Sequence, residues 1–172
     1  MMMRRKIRQW RMTVWGSMGI LSVIMYISIA EAQQPVDFTD YFYATVTYLT
    51  TSQELTIFHS KVKGIIRDNL EAKKFDNLTS YCLRSGRVVA GKTSGNTYSK
   101  FMDPDGDFFV TETIADGVSE ATWRFIQGTG KWKGITGGGT ARFIFMTRGK
   151  QQITPTTFQG HLRMTGTFEL QK

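Results

Sequence analysis

Trp123-Arg124-Phe125-Ile126-Gln127-Gly128-Thr129-Gly130-Lys131-Trp132-Lys133-Gly134-Ile135-Thr136-Gly137-Gly138-Gly139-Thr140 is the stretch that decides the fold class of this chain. Trp123, Phe125 and Gln127 alternate with Arg124 and Ile126, and glycines then recur at turn-like spacings. A two-residue period reads as strand, bounded here by turn residues. Glycine inside strands marks bulges, bends or close approach of another backbone. Such a segment builds curved antiparallel sheet.

The same texture extends in both directions. Residues 41–49 are rich in aromatic and β-branched side chains and read as the first strand. Residues 54–69 are ambiguous. Phe58, Val62, Ile65, Ile66 and Leu70 fit one face of a helix, and Thr51 with Glu54 resembles a capping box. Gly64 and the β-branched Thr56, Ile57 and Val62 oppose a helix, and the strand reading is preferred. Residues 70–77 read as a loop. Further strands are expected at 78–83, 86–90, 97–102, 107–114, 121–127, 140–147 and 158–170. Asp103-Pro104-Asp105-Gly106 is a turn, since proline presets φ and the following glycine tolerates positive φ.

About eight short-linked strands must deal with their edges, and closure into a barrel removes them. Glycines such as Gly134, Gly160 and Gly166 suit the bends that closure needs. The expected fold is therefore all-β, a single antiparallel, roughly eight-stranded closed barrel. A two-sheet sandwich is the other architecture the pattern allows.

The N-terminus reads as a targeting segment. Arg4, Arg5, Lys6, Arg8 and Arg11 precede an uncharged, mostly apolar run at 15–29, and Ala30-Glu31-Ala32 supplies a small-x-small cleavage pattern. The expected organisation is a signal peptide at 1–32, a flexible lead-in with Pro35 at 33–40, and a barrel domain at 41–172. The expected location is exported, periplasmic or secreted. An uncleaved anchor is the alternative, with Trp10 and Trp15 placed to suit a membrane interface.

Export changes the charge argument. The whole chain carries 22 basic and 14 acidic residues, net +8. Five of the basic residues and one acid, Glu31, fall before residue 33, so the remainder carries only +4. That spread-out charge gives nucleic-acid binding no support.

Several motifs look like chemistry and are read as architecture. Gly86-Arg87-Val88-Val89-Ala90-Gly91-Lys92-Thr93 matches a P-loop letter for letter. A P-loop needs a helix to follow it, and Ser94-Gly95-Asn96-Thr97-Tyr98 cannot start one. Two strands around a turn are expected, with no nucleotide partner. Asp103, Asp105 and Asp107 open like a calcium loop, but Phe108 and Ile114 stand where the glycine and glutamate should be. His59 and His161 lack metal-ligand spacing. Cys82, the single cysteine, lies in a strand-like segment and reads as a buried thiol. Asn77-Leu78-Thr79 is a glycosylation sequon. No cofactor or metal site is expected, and no catalytic residue is identifiable. Aromatic residues from Phe38, Tyr41 and Phe42 to Phe143, Phe158 and Phe168 read as core packing or as the lining of an apolar cavity.

The segments Phe75-Asp76-Asn77-Leu78-Thr79-Ser80-Tyr81-Cys82, Phe101-Met102-Asp103-Pro104-Asp105-Gly106-Asp107, Gly128 to Thr140 and Thr165-Gly166-Thr167-Phe168-Glu169-Leu170 resemble small exported bacterial proteins of uncharacterised role. Those are similar in turn to the allene oxide cyclase and dirigent-like barrels, of calycin-like kind. The resemblance implies an eight-stranded antiparallel barrel. It also implies that 103–107 and 128–139 are turn architecture. Such relatives often carry a second cysteine before the Asp-Pro-Asp turn. Here that place reads Tyr98-Ser99-Lys100, so a disulfide to Cys82 is not expected. No catalytic residue of the plant enzymes maps onto this chain.

The function expected is non-enzymatic binding of a small apolar ligand or an envelope component. One alternative is a cyclase or isomerase that shapes a hydrophobic substrate inside the barrel. The other is a structural or homo-oligomeric envelope protein.

Overall fold

The computed structural model describes residues 33–52, 54–116, 120–147, 154 and 156–171. The expected signal peptide, 1–32, lies outside the described residues. Eight strands follow one another: β1 (Gln34–Thr51), β2 (Leu55–Asp68), β3 (Thr79–Val89), β4 (Lys92–Met102), β5 (Phe108–Asp116), β6 (Glu120–Gly128), β7 (Ile135–Met146) and β8 (Thr157–Leu170). One 3-10 turn, Gly130–Trp132, joins β6 to β7. Every strand pairs antiparallel with its neighbour in sequence, and β8 returns to β1 to close a barrel. The closing seam runs from Gln34 opposite Phe168 to Thr45 opposite Thr157.

The expected closed barrel is present, with three adjustments. Residues 34–40 are not a lead-in, because β1 starts at Gln34 and pairs at once with β8. The alternation Val36, Phe38, Asp40 continues the lumen-facing row of the strand, and Pro35 sits one residue in, where a strand tolerates proline. Residues 78–83 and 86–90 belong to one strand, β3. Residues 135–139 are not turn but the start of β7, and Gly134, expected within a strand, is in the turn before it at φ 76°. The glycines of β7 are required by close approach. A Cβ on Gly139 would lie 1.9 Å from the Thr165 carbonyl oxygen of β8.

One end of the lumen is sealed by aromatic side chains. The loop after β2 folds Phe75 into the barrel, where it is fully buried. Its ring lies 5.2 Å from those of Trp132 and Phe168, 5.5 Å from Phe38 and 5.8 Å from Phe109. Phe101 stacks on Phe109 at 5.0 Å. Each such burial contributes about 1.5–3 kcal/mol, with more from the ring geometry. Asp68 fixes the loop by accepting hydrogen bonds from the amides of Leu70 and Phe75, both at 2.9 Å. Asp76 in turn accepts the Asp68 amide at 3.0 Å.

Candidate functional site: the lumen above the aromatic plug

The strand alternation that buries the plug also sets what lies above it. On β1 the lumen row reads Phe38, Asp40, Phe42, Ala44, and on β3 it reads Ser80, Cys82, Arg84, Gly86. Two charged residues, Asp40 and Arg84, and one hydroxyl, Ser80, therefore stand in these rows. Asp40 is only 3% exposed. Both of its carboxylate oxygens lie 3.0 Å from the Ser80 hydroxyl. It reaches Ser80 across Gly64, whose hypothetical Cβ would fall 2.1 Å from Asp40 Oδ1. Burial pushes the Asp40 carboxyl up to about 7, partly offset by the Ser80 hydrogen bond. Cys82 is a buried free thiol. Burial, then the nearby Asp40, pushes it up to about 12, so it is not a thiolate at neutral pH. Ser99 pairs across the ladder with Cys82. Thr111 completes this polar belt, and its fully buried hydroxyl has no hydrogen-bond partner among the described residues.

Above the belt, toward the β3–β4 hairpin, burial is uneven: Ala44, Val46 and Ser60 are buried, whereas the aromatic rings are less so. Phe42 and Phe58 are half-buried and Phe143 is 44% exposed. Phe42 and Phe143 meet edge to face at 6.1 Å. Phe42 is flanked in both ladders by glycine, Gly64 on β2 and Gly160 on β8. Gly86, opposite Phe58, leaves room for that ring. Arg84 stands among these rings, its guanidinium carbon 5.3 Å from the Phe58 centroid and 5.9 Å from that of Phe143. Burial lowers its pKa, but an arginine stays charged.

The motifs singled out in the sequence lie elsewhere. The P-loop look-alike is the end of β3, a two-residue turn and the start of β4, with Val89 paired to Lys92. Ala90 and Gly91 both have positive φ, the signature of a tight hairpin. A shallow dent lined by Ile57, Arg87, Ser94 and Asn96 lies nearby and is open to solvent. Asp103, Asp105 and Asp107 form a turn that braces the closed end. Asp103 accepts from Lys131 at 2.8 Å and from the Trp132 indole at 3.1 Å, and Asp107 from the Lys131 amide at 3.0 Å. Burial would raise the Asp103 carboxyl, but these hydrogen bonds outweigh it and hold the group below its usual value. His59 lies on β2 and His161 on β8, the latter ring 5.3 Å from Tyr41. Among the described residues no cluster of three or more His, Cys, Asp or Glu side chains is arranged to hold a metal ion.

Sequence reading named Phe42, Phe143 and Cys82 but passed over Asp40 and Arg84. Asp40 is a single charged residue on the apolar row Val36, Phe38, Phe42, Ala44, and a lone charge there faces the interior, whereas the row Ser80, Cys82, Gly86 that carries Arg84 gives no such signal.

No protein-family model and no curated protein sequence matches the chain. Among solved structures the chain is similar to the pterocarpan synthase dirigent protein, at 9% identity over 81% of this chain and 92% of that chain, with a TM-score of 0.48. At that identity and score the likeness carries nothing about residues or chemistry. What stands on the chain's own strand pairing is a closed eight-stranded antiparallel barrel, the architecture expected of the dirigent-like barrels.

Proposed function

We propose that this is an exported, non-enzymatic barrel that holds a small apolar molecule in the upper half of its lumen. The observation that carries the reading is the cluster of half-buried Phe42 and Phe58 with exposed Phe143 inside a barrel whose other half is densely packed. Aromatic surface left wet within a concave wall gains about 25 cal/mol for each Å² that a ligand covers. The plug below gives that ligand a floor. Native mass spectrometry of protein purified from its own host tests the reading. A recurrent small-molecule adduct supports it, and a clean apo mass with no adduct overturns it.

Two other readings each have an observation in their favour. Asp40, with its carboxyl near 7, has the proton affinity that suits general acid–base work and would serve a cyclase or isomerase. Its seal under the upper lumen and its engagement by Ser80 count against contact with substrate. On the outer wall, Tyr41, Tyr43, Ile65, Tyr81, Leu83 and Tyr98 are exposed across β1 to β4, a face suited to self-association. Light scattering at increasing protein concentration separates that role from a monomeric carrier.

A further inference from the structure

Arg84 is the feature of the lumen that an apolar ligand alone does not explain. We infer that the molecule held there is an aryl carboxylate, its ring packed among Phe42, Phe58 and Phe143 and its carboxylate bound by the Arg84 guanidinium. The inference rests on the proposed ligand-binding reading and adds the charge and shape of the ligand to it.

Three observations support the assignment. First, Arg84 makes no ion pair among the described residues. The two carboxylates that share the lumen, Asp40 and Asp68, are held elsewhere, by Ser80 and by the amides of Leu70 and Phe75. Second, the contacts Arg84 does make are with the faces of two rings. Such contacts offset charge but use none of the five N–H donors, which lie in the guanidinium plane and match the two oxygens of a carboxylate. A half-buried cation whose N–H donors have no partner among the described residues is costly, and a ligand oxyanion removes that cost. Third, although Ser60 and Thr97 flank Arg84 in its two ladders, the groups that meet its guanidinium are the Phe58 and Phe143 rings, and edge-to-face or offset stacking with them rewards a planar aromatic body. Carboxylate and ring together meet both the charge and the surface that the upper lumen leaves unmatched.

The test is a calorimetric titration at neutral pH with two probes of the same size, 2-naphthoate and the uncharged 2-naphthalenemethanol. Wild-type protein should bind the carboxylate at least about tenfold tighter than the alcohol, the span of a charge-assisted hydrogen bond. Arg84→Met should abolish that preference and leave alcohol binding within about twofold of wild type. Arg84→Lys, which keeps the charge and loses the fork, should retain only part of the preference. If both probes bind equally to wild type, or if the preference survives in Arg84→Met, the assignment of Arg84 falls while the binding reading stands. If neither probe binds, both fall.

Discussion

Phe75 and Phe143 are the same side chain toward opposite ends of one barrel. Phe75 is fully buried and touches four other rings, whereas Phe143 is 44% exposed and, among the described residues, its ring meets one other ring, Phe42, and the Arg84 guanidinium. Their backbones differ as well. Phe75 comes from a loop tied down by Asp68 and Asp76, and Phe143 sits on β7 just before a register shift against β8. The lower half therefore gives the barrel its stability, and the upper half keeps apolar surface that folding alone does not use. The polar belt of Asp40, Ser80 and Thr111 divides them.

That contrast is open to direct attack, and the largest effect is expected at the plug. Phe75→Ala should lower the unfolding free energy by about 3–5 kcal/mol in urea titrations. A loss under about 1 kcal/mol would show that the plug is not what holds the closed end.

The belt should make its presence felt through pH. The folded Asp40 carboxyl is raised to about 7 from 3.8, so the folded chain binds more protons than the unfolded chain between those values. Stability should then fall as pH rises from about 4 to about 7, by at most about 4 kcal/mol from this group. Asp37, Asp103 and Glu112 are shifted downward and contribute the opposite slope at lower pH. The difference between wild type and Asp40→Asn in thermal unfolding isolates the belt. Asp40→Asn should be the more stable protein above pH 7 and lose that advantage toward pH 4. A flat difference curve would place Asp40 outside the sealed layer.

Gly64→Ala sharpens the same point at smaller cost. The new methyl would collide with Asp40 Oδ1 and stand 2.7 Å from both Ser80 Oγ and the Tyr41 carbonyl. A loss of about 1–3 kcal/mol is expected in chemical denaturation, together with a weakened pH dependence. An unchanged midpoint would mean the belt yields without strain. The smallest effect should come from the outer wall. Arg163 donates to Asp37 at 2.8 Å across the seam, yet it is exposed, and Arg163→Ala should leave the unfolding midpoint nearly unchanged, with a smaller shift still in high salt.

The alternation around Trp123 and the aromatic-rich segments predict the strands because burial on one face of a sheet leaves a two-residue period in the chain. Closure was legible for the same reason, since eight antiparallel strands with interior glycines have edges to hide. The start of β1 was not, because Pro35 imitates a break although Val36 and Phe38 continue the lumen row. Nor was Gly137-Gly138-Gly139 legible as strand, because close approach to β8 and a turn leave the same letters. At the candidate site the rings were visible as composition, but their division between plug and open wall was not. That division depends on the loop that carries Phe75 inward, a long-range event with no periodicity to announce it. Asp40 and Arg84 were readable only after the lumen rows of β1 and β3 had been fixed.

The most direct measurement pairs folding with binding in Phe143→Ala, using the uncharged fluorophore Nile red as ligand and urea unfolding as the control. The division of the lumen predicts that affinity falls by about tenfold or more while unfolding free energy changes by less than about 1 kcal/mol. Unchanged affinity, or a stability loss as large as that of Phe75→Ala, would contradict it.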